Sequence, residues 1–181
     1  MFTSGNVKTK SKAQQVLLAL KILIAYYSKT GNTETISNAM REGLTADFEV
    51  SVFKIEMVKE YSDLLPHLNP RLIFDTFLNM KPRIRSLEDV SPYDFICVGT
   101  PNWYGRTAPP VNTFIEEMIN IKGKKAIAFV SSGLGKESYA DDLKKRLEKK
   151  GLKVLKTLNL ILQELSESQL RKIREILTLA N

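Results

Sequence analysis

The apolar residues of this chain recur in two patterns, one typical of strands and one typical of helices, which follow each other along the chain. Five short runs are mostly apolar or alternate between apolar and polar residues, as buried strands do. These runs are residues 20–27, 48–55, 93–99, 125–131 and 152–158. Elsewhere apolar residues recur every third or fourth position, as Ile36, Met40 and Leu44 do. This periodicity, together with the helix start and stop residues, predicts helices over 32–44, 110–119, 137–150 and 166–179.

The order of these elements predicts an α/β protein with a doubly wound parallel sheet and helices on both faces. Ligands of such sheets bind beyond the carboxyl ends of the strands, near the point where strand order reverses. The loops after the first, third and fourth strands are therefore the expected places for chemistry. Residues 56–92 form a long connection with several prolines, and its apolar residues indicate a crossover helix that covers the sheet: Phe74, Phe77, Leu78 and Met80.

The composition indicates one globular domain with a basic tail. The chain has 181 residues, of which 43% are apolar and 26% charged, as in ordinary globular domains. Residues 1–12 carry three lysines and no acid, and residues 13–19 read as a short helical lead-in. We therefore expect an N-terminal basic tail and lead-in over 1–19 and a single domain over 20–181.

Several classes of site and location are disfavoured. One cysteine and one histidine leave neither a disulfide framework nor a His/Cys metal cluster. The longest apolar run, 16–27, includes Lys21 and is too short to span a membrane. It does not end in the small residues of a signal-peptide cleavage site. We expect a cytoplasmic protein with no membrane span and no metal site.

The net charge is +7, from 27 Lys and Arg against 20 Asp and Glu. Such a balance is compatible with an acidic partner such as nucleic acid. However, three of the lysines lie in the tail, and many others lie on the helix over 137–150 and just after it. The aromatic residues cluster in the loops instead of among these lysines, so no nucleic-acid partner is expected.

The loop after the first strand has the composition of a phosphate site. Its residues are Ser28, Lys29, Thr30, Gly31, Asn32 and Thr33, and a helix follows at once. The start of a helix offers unpaired N–H donors and partial positive charge, which favour a phosphate group. N-capping alone would need only one of these polar residues. No Gly-x-x-x-x-Gly-Lys-Ser/Thr sequence occurs in the chain, which disfavours a nucleotide triphosphatase.

The loops after the third and fourth strands suit a flat ligand. The first contains an adjacent aromatic pair, and its residues are Thr100, Pro101, Asn102, Trp103, Tyr104 and Gly105. Aromatic rings at the ligand end of a sheet suit stacking on a heteroaromatic group, although a tryptophan can instead fold back over the core. The second loop supplies Ser132, Gly133, Gly135 and Tyr139.

These three segments together resemble the flavodoxin family. The stretch 22–33 is similar to the family's phosphate loop, and 93–105 and 129–139 are similar to its two flavin-flanking loops. The resemblance implies non-covalently bound FMN and a five-stranded sheet of order 2-1-3-4-5, the order that flavodoxin exemplifies. It places the phosphate of FMN in the loop 28–33, the ring between the residues 100–105 on one side, and Ser132, Gly133, Gly135 and Tyr139 on the other.

Two functions follow from this resemblance. The first is an electron-transfer protein that passes electrons between redox partner proteins and has no catalytic residues of its own. The alternative is an FMN-dependent NAD(P)H:quinone-type oxidoreductase acting on a small quinone-like acceptor, with residues 61–85 walling a substrate space. Carrier flavodoxins are typically acidic, whereas this chain is basic. Positive charge favours an anionic reduced flavin, so we expect a less negative potential than in an acidic flavodoxin.

Overall fold

A computed structural model describes residues 20–62, 65–133, 136–161 and 167–179. Its strands are β1 (Lys21–Tyr26), β2 (Glu49–Lys54), β3 (Phe95–Pro101), β4 (Lys125–Ser131) and β5 (Lys153–Leu160). Its helices are α1 (Asn32–Leu44), α2 (Pro70–Phe77), α3 (Pro109–Glu117), α4 (Asp141–Lys150) and α5 (Glu167–Leu179). Short 3-10 helices occupy Pro66–Leu68 and Glu137–Ala140. The expected basic tail and lead-in, 1–19, lies outside the described residues.

The five strands form one parallel sheet of order β2-β1-β3-β4-β5. This confirms the predicted α/β fold and strand order. β1 and β3 are central, and the pairing of Tyr26 with Gly99 aligns their carboxyl ends. Further along, Pro101 pairs with Ser131 at the end of β4. The loops expected to carry chemistry therefore leave the sheet at the same edge.

Two apolar layers cover the sheet. Successive residues of β1 point to opposite faces, so Leu23 packs in one layer and Ile24 in the other. The first layer contains the inner faces of α3 and α4, and the second contains those of α1 and α5. Gly151 ends α4 in a left-handed conformation with φ 107°, the usual role of glycine after a helix.

The structure corrects three predicted elements. The helix expected over 137–150 begins with the 3-10 turn and becomes α-helical only at Asp141. α3 ends at Glu117 instead of 119. β5 is displaced to Lys153–Leu160, and its pairing with β4 carries a bulge at the Ala126/Ile127 step, which shifts its register.

The crossover helix α2 presents a different face from the one expected. Leu72 and Thr76 are its buried residues, together with Asp75. The apolar residues predicted to cover the sheet are instead exposed, and they are Phe74, Phe77, Leu78 and Met80. Asn69 caps this helix by accepting a hydrogen bond from Leu72 N at 3.1 Å. The prediction of a helix was correct and the prediction of its buried face was wrong.

No helix in the described part of the chain is long and apolar enough to cross a membrane.

Candidate functional site

The loop between β1 and α1 is shaped by Gly31. This residue has φ 88°, in the left-handed region, and stands at the N-cap of α1. Because glycine has no side chain, no side chain caps the helix, and Gly31 contributes only its carbonyl, which accepts from Thr35 N at 2.9 Å. The first N–H groups of a helix have no acceptor within the helix. Because α1 follows β1 directly, these groups and the positive end of the helix dipole lie at the carboxyl end of that strand.

Ser28 is the most informative residue of this loop. Its Oγ is buried and has no hydrogen-bond partner among the described residues. A buried hydroxyl without a partner costs free energy, and such groups are rare in native proteins. Ser28 lies three positions before Gly31, the N-cap of α1, which has no side-chain cap, and a helix start of this kind suits an anion.

The other loop residues divide into exposed and structural groups. Thr30 and Asn32 are exposed, whereas Thr33 is buried. Thr33 Oγ1 shares a buried hydrogen bond of 2.7 Å with Ser131 Oγ at the end of β4. Lys29 Nζ donates to the carbonyl of Ser62 at 2.6 Å, which fastens the loop to the long connection. The predicted residues are thus close together, but Thr33 and Lys29 already use their polar atoms within the protein.

The negative charge nearest to the start of α1 belongs to Glu34, and it is compensated. Lys54 Nζ donates to Glu34 Oε2 at 2.9 Å. The hydrogen bond from Lys54 is the main cause that lowers the pKa of Glu34, so the carboxylate stays ionised and paired. The pair is partly exposed and contributes little to stability. Its effect is to reduce the repulsion that an anion at the helix start would meet.

The loop after β3 turns sharply at Tyr104 and Gly105. Their φ values are 56° and 75°, and Trp103 and Arg106 exchange backbone hydrogen bonds across them. Positive φ at both central residues is the requirement of a type I′ turn. Gly105 adopts it without strain, but a tyrosine in this region is uncommon. The turn is held by Asn102 Oδ1, which accepts from Gly105 N at 3.0 Å.

The two adjacent aromatic residues point to opposite sides of this turn. Trp103 is buried in the core, with its ring 5.7 Å from the rings of Tyr27 and Tyr61 and nearly perpendicular to both. Tyr104 is 45% exposed. Trp103 was expected to line a flat ligand; the structure places its ring in the core, and its contact with a ligand stays a prediction. It is the tryptophan folded over the core, because the turn sends its side chain inward and two tyrosines form the pocket that receives it.

Other residues of this loop hold its shape. Thr100 is buried, and its Oγ1 accepts from Ala108 N at 2.9 Å and donates to Pro101 O at 3.1 Å. The hydroxyl of Thr100 therefore has a structural role, and the expected contact of this residue with a ligand stays a prediction. Asn102 N donates to Ser131 O at 2.9 Å, which ties the loop to β4. Pro101 is partly exposed at the end of β3.

The loop after β4 is described only in part. Ser132 is partly exposed and its N–H donates to Leu160 O at 3.1 Å. A Cβ added to Gly133 would meet no atom of the described residues within 4 Å, so the space beside it is open on that side. Tyr139 lies in the 3-10 helix and packs partly against the core. Gly135, the remaining predicted residue of this loop, lies outside the described residues.

The structure adds residues around the site that the sequence did not single out. Tyr27 OH donates to Glu60 Oε2 at 3.1 Å, and Tyr61 OH donates to Asp75 Oδ2 at 3.1 Å. Burial, followed by the adjacent carboxylates, raises the pKa of both phenols. Both therefore remain protonated donors over the physiological range. Tyr27 belongs to the predicted strand, but Glu60 and Asp75 come from the connection 56–92, whose path no local pattern indicates.

The exposed ring of Tyr104 continues onto α2. Its centroid lies 5.6 Å from that of Phe77, which is 49% exposed. The Arg106 guanidinium lies 5.5 Å from the centre of the Phe77 ring. The site therefore combines an anion-favouring loop, an exposed aromatic ring and a neighbouring apolar surface.

Comparison with known proteins gives one family and several related structures. The family model described as Flavodoxin matches residues 21–175. A candidate flavoprotein from Bacteroides uniformis ATCC 8492 has 25% identity and a TM-score of 0.72, over 87% of this chain and 99% of that one. A flavoprotein from Lactobacillus acidophilus NCFM, solved in complex with FMN, has 24% identity and a TM-score of 0.66, over 85% and 98%. An archaeal flavodoxin shares the fold at 18% identity, with a TM-score of 0.57 over 88% and 94% of the two chains.

Proposed function

Because this chain belongs to the flavodoxin family, we propose that it binds FMN and transfers electrons between redox partner proteins. The observation that carries the proposal is the buried Ser28 Oγ without a partner, beside the uncapped start of α1. The residues present fit an FMN phosphate, since this hydroxyl and the helix N–H groups supply donors that the protein leaves unused. Lys29 is held by the connection and contributes its charge nearby.

The proposed place of the flavin ring lies between the loops after β3 and β4. Tyr104 offers an exposed aromatic face there, and Gly133 leaves open space. Asn102, Gly105 and Pro101 line the same edge, and Ser132 and Tyr139 stand on the opposite loop. Trp103 supports this surface from behind by packing in the core.

Bound FMN supplies one-electron and two-electron redox chemistry. The chain's own contribution is to hold the phosphate, to orient the ring against Tyr104 and to set the charge around it. Among the described residues no group of three or more His, Cys, Asp or Glu could hold a metal ion. Cys97 is fully buried in β3, and burial raises the pKa of its thiol to about 12. We therefore assign no redox role to the Cys97 thiol.

A second function is favoured by the apolar surface next to Tyr104. A cleft of about 540 Å³ lies along α2 and the preceding turn, lined by Leu68, Ile73, Phe74, Phe77 and Leu78 among others. These exposed side chains suit a small apolar acceptor such as a quinone. An FMN-dependent NAD(P)H:quinone-type oxidoreductase is therefore the alternative proposal.

The first experiment identifies the cofactor. Purified protein is denatured, the released flavin is identified by mass spectrometry, and the apoprotein is titrated with FMN and with riboflavin. We expect FMN to bind at least tenfold more tightly, because riboflavin lacks the phosphate. Equal affinities would contradict the assignment of the loop 28–33, and no binding of either would contradict the function.

The second experiment separates carrier from reductase. FMN-loaded protein is reduced anaerobically in a spectroelectrochemical cell, and NAD(P)H oxidation is followed with and without a short-chain quinone. Two resolved one-electron steps without NAD(P)H oxidation support the carrier. Steady-state quinone reduction that falls in a Phe77→Ser variant, but not in a Leu179→Ser control at another exposed apolar position, supports the reductase.

A further inference from the structure

A second cleft lies between α3 and α4, away from the loops that form the proposed flavin site. Its volume is about 310 Å³, and its lining comes from the segment after α2 and from both helices. The residues are Lys81, Asn112, Ile115, Glu116, Arg146, Lys149 and Lys150. The last two residues of α4 belong to it, so the cleft extends toward the end of the sheet opposite to the phosphate loop.

The charges of this cleft leave an excess of positive charge. Lys81 Nζ pairs with Glu116 Oε2 at 3.2 Å, and Arg146 Nε pairs with Asp142 Oδ2 at 2.8 Å. These contacts compensate two of the four cations. Lys150 donates to the neutral backbone carbonyl of Glu116, which leaves its charge unbalanced. Lys149 is exposed and has no ion pair among the described residues. Two positive charges therefore remain without a carboxylate.

Asn112 is a buried polar group that nothing in the described protein satisfies. It is 4% exposed and lines the cleft. Both its Oδ1 and its Nδ2 are buried without a hydrogen-bond partner among the described residues. Its neighbours in α3 are apolar core residues such as Val111 and Phe114. Burying a carboxamide without hydrogen bonds costs free energy that a leucine would not cost here. The unpartnered carboxamide therefore points to a ligand that forms hydrogen bonds with it.

We infer that this cleft binds a small phosphorylated sugar or a similar hydroxyl-bearing phosphate monoester. A phosphate dianion matches the two uncompensated lysines in charge. The Asn112 carboxamide offers one acceptor and two donors, which suit a hydroxyl group beside the phosphate. The volume of the cleft suits a ligand of sugar-phosphate size, whereas a polymer would need an extended basic surface.

The test measures binding of ribose 5-phosphate, inorganic phosphate and ribose to the full chain by isothermal titration calorimetry, after saturation with FMN. We expect ribose 5-phosphate to bind most tightly, inorganic phosphate more weakly and ribose least. Asn112→Leu removes the carboxamide at similar volume, and Lys149→Gln removes one exposed charge. We expect the affinity for ribose 5-phosphate to fall at least tenfold in Asn112→Leu and about threefold in Lys149→Gln. Lys172→Gln makes the same charge change on α5, on the other face of the sheet, and should stay within twofold.

A Ser28→Ala variant separates this cleft from the phosphate loop, whether or not the chain takes up FMN. Sugar-phosphate binding that survives Ser28→Ala and falls in Asn112→Leu and Lys149→Gln supports the inference. Binding that is lost in Ser28→Ala but kept in both cleft variants places the anion in the phosphate loop and overturns it. Absence of ribose 5-phosphate binding at millimolar concentration also overturns it. The Lys149 variant changes only an exposed side chain and keeps the test valid if Asn112→Leu fails to fold.

Discussion

Replacing Ser28 with alanine should have opposite effects on the free protein and on its complex with FMN. In the free protein, Ser28 Oγ is buried and has no partner among the described residues. Removing an unsatisfied buried polar group recovers about 1–3 kcal/mol of its desolvation cost. In the proposed complex, the same hydroxyl would donate to a charged phosphate, and such bonds contribute about 1.5–3 kcal/mol. Most single substitutions destabilise a protein, so a gain in the stability of the apoprotein would be a distinctive result.

The assay is urea unfolding of the apoprotein together with fluorescence titration of FMN. We expect Ser28→Ala to raise the free energy of unfolding of the apoprotein by about 1 kcal/mol and to weaken FMN binding by about tenfold or more, since 1.4 kcal/mol corresponds to a factor of ten.

Ser37→Ala is the matched control for this variant. Ser37 is buried in the second turn of α1, and its Oγ is satisfied by donating to Thr33 O at 2.8 Å. This variant should not gain stability and should change FMN affinity by less than threefold. The reasoning is refuted if Ser28→Ala destabilises the apoprotein and leaves FMN affinity unchanged, because the hydroxyl would then have a partner within the protein.

Three further predictions concern packing, pH and redox potential. A Cβ at Gly99 would lie 2.1 Å from Phe129 Cζ, so Gly99→Ala should lower the free energy of unfolding by about 1–3 kcal/mol, and adding Phe129→Leu should restore part of it in the same unfolding assay. Because burial raises the pKa of the Cys97 thiol from 9.0 to about 12, the folded state retains a proton that the unfolded state loses between these values. Stability should therefore fall as pH rises through this window, by up to about 1.4 kcal/mol per pH unit, and less steeply in Cys97→Ala; equal slopes would contradict it. Arg106→Gln should lower the flavin's potential by on the order of tens of millivolts in a redox titration, whereas Lys172→Gln on α5 should leave it unchanged.

Strand identity and order could be predicted because the central strands are buried on both faces. The runs at β1, β3 and β4 are apolar and buried along most of their length. The face of α2 could not be predicted. Its eight residues carry apolar side chains on both sides, and the buried side contains Asp75 and Thr76. Tertiary bonds, such as that from Tyr61 OH to Asp75, decide which side faces inward.

The place where the three loops meet could be predicted, and the detail of their side chains could not. The topology brings the three loops to one edge, as the order of elements implies. Trp103 is buried next to a positive φ at Tyr104, which the local sequence does not indicate because tyrosine rarely adopts it. The hydrogen bond between Thr33 and Ser131 joins residues 98 positions apart. Only the folded chain reveals that the Thr33 hydroxyl already has a hydrogen-bond partner.

In the turn at 103–106, one residue packs in the core and the next forms the exposed surface. Trp103 is fixed by its packing against Tyr27 and Tyr61, so a saturation library at this position should lose most of its folded members. Tyr104 is exposed one residue later, and a library there should stay largely folded, with glycine and asparagine best tolerated because of the positive φ. The surface offered to a cofactor or a partner can thus be redesigned at one position while its anchor in the core stays unchanged.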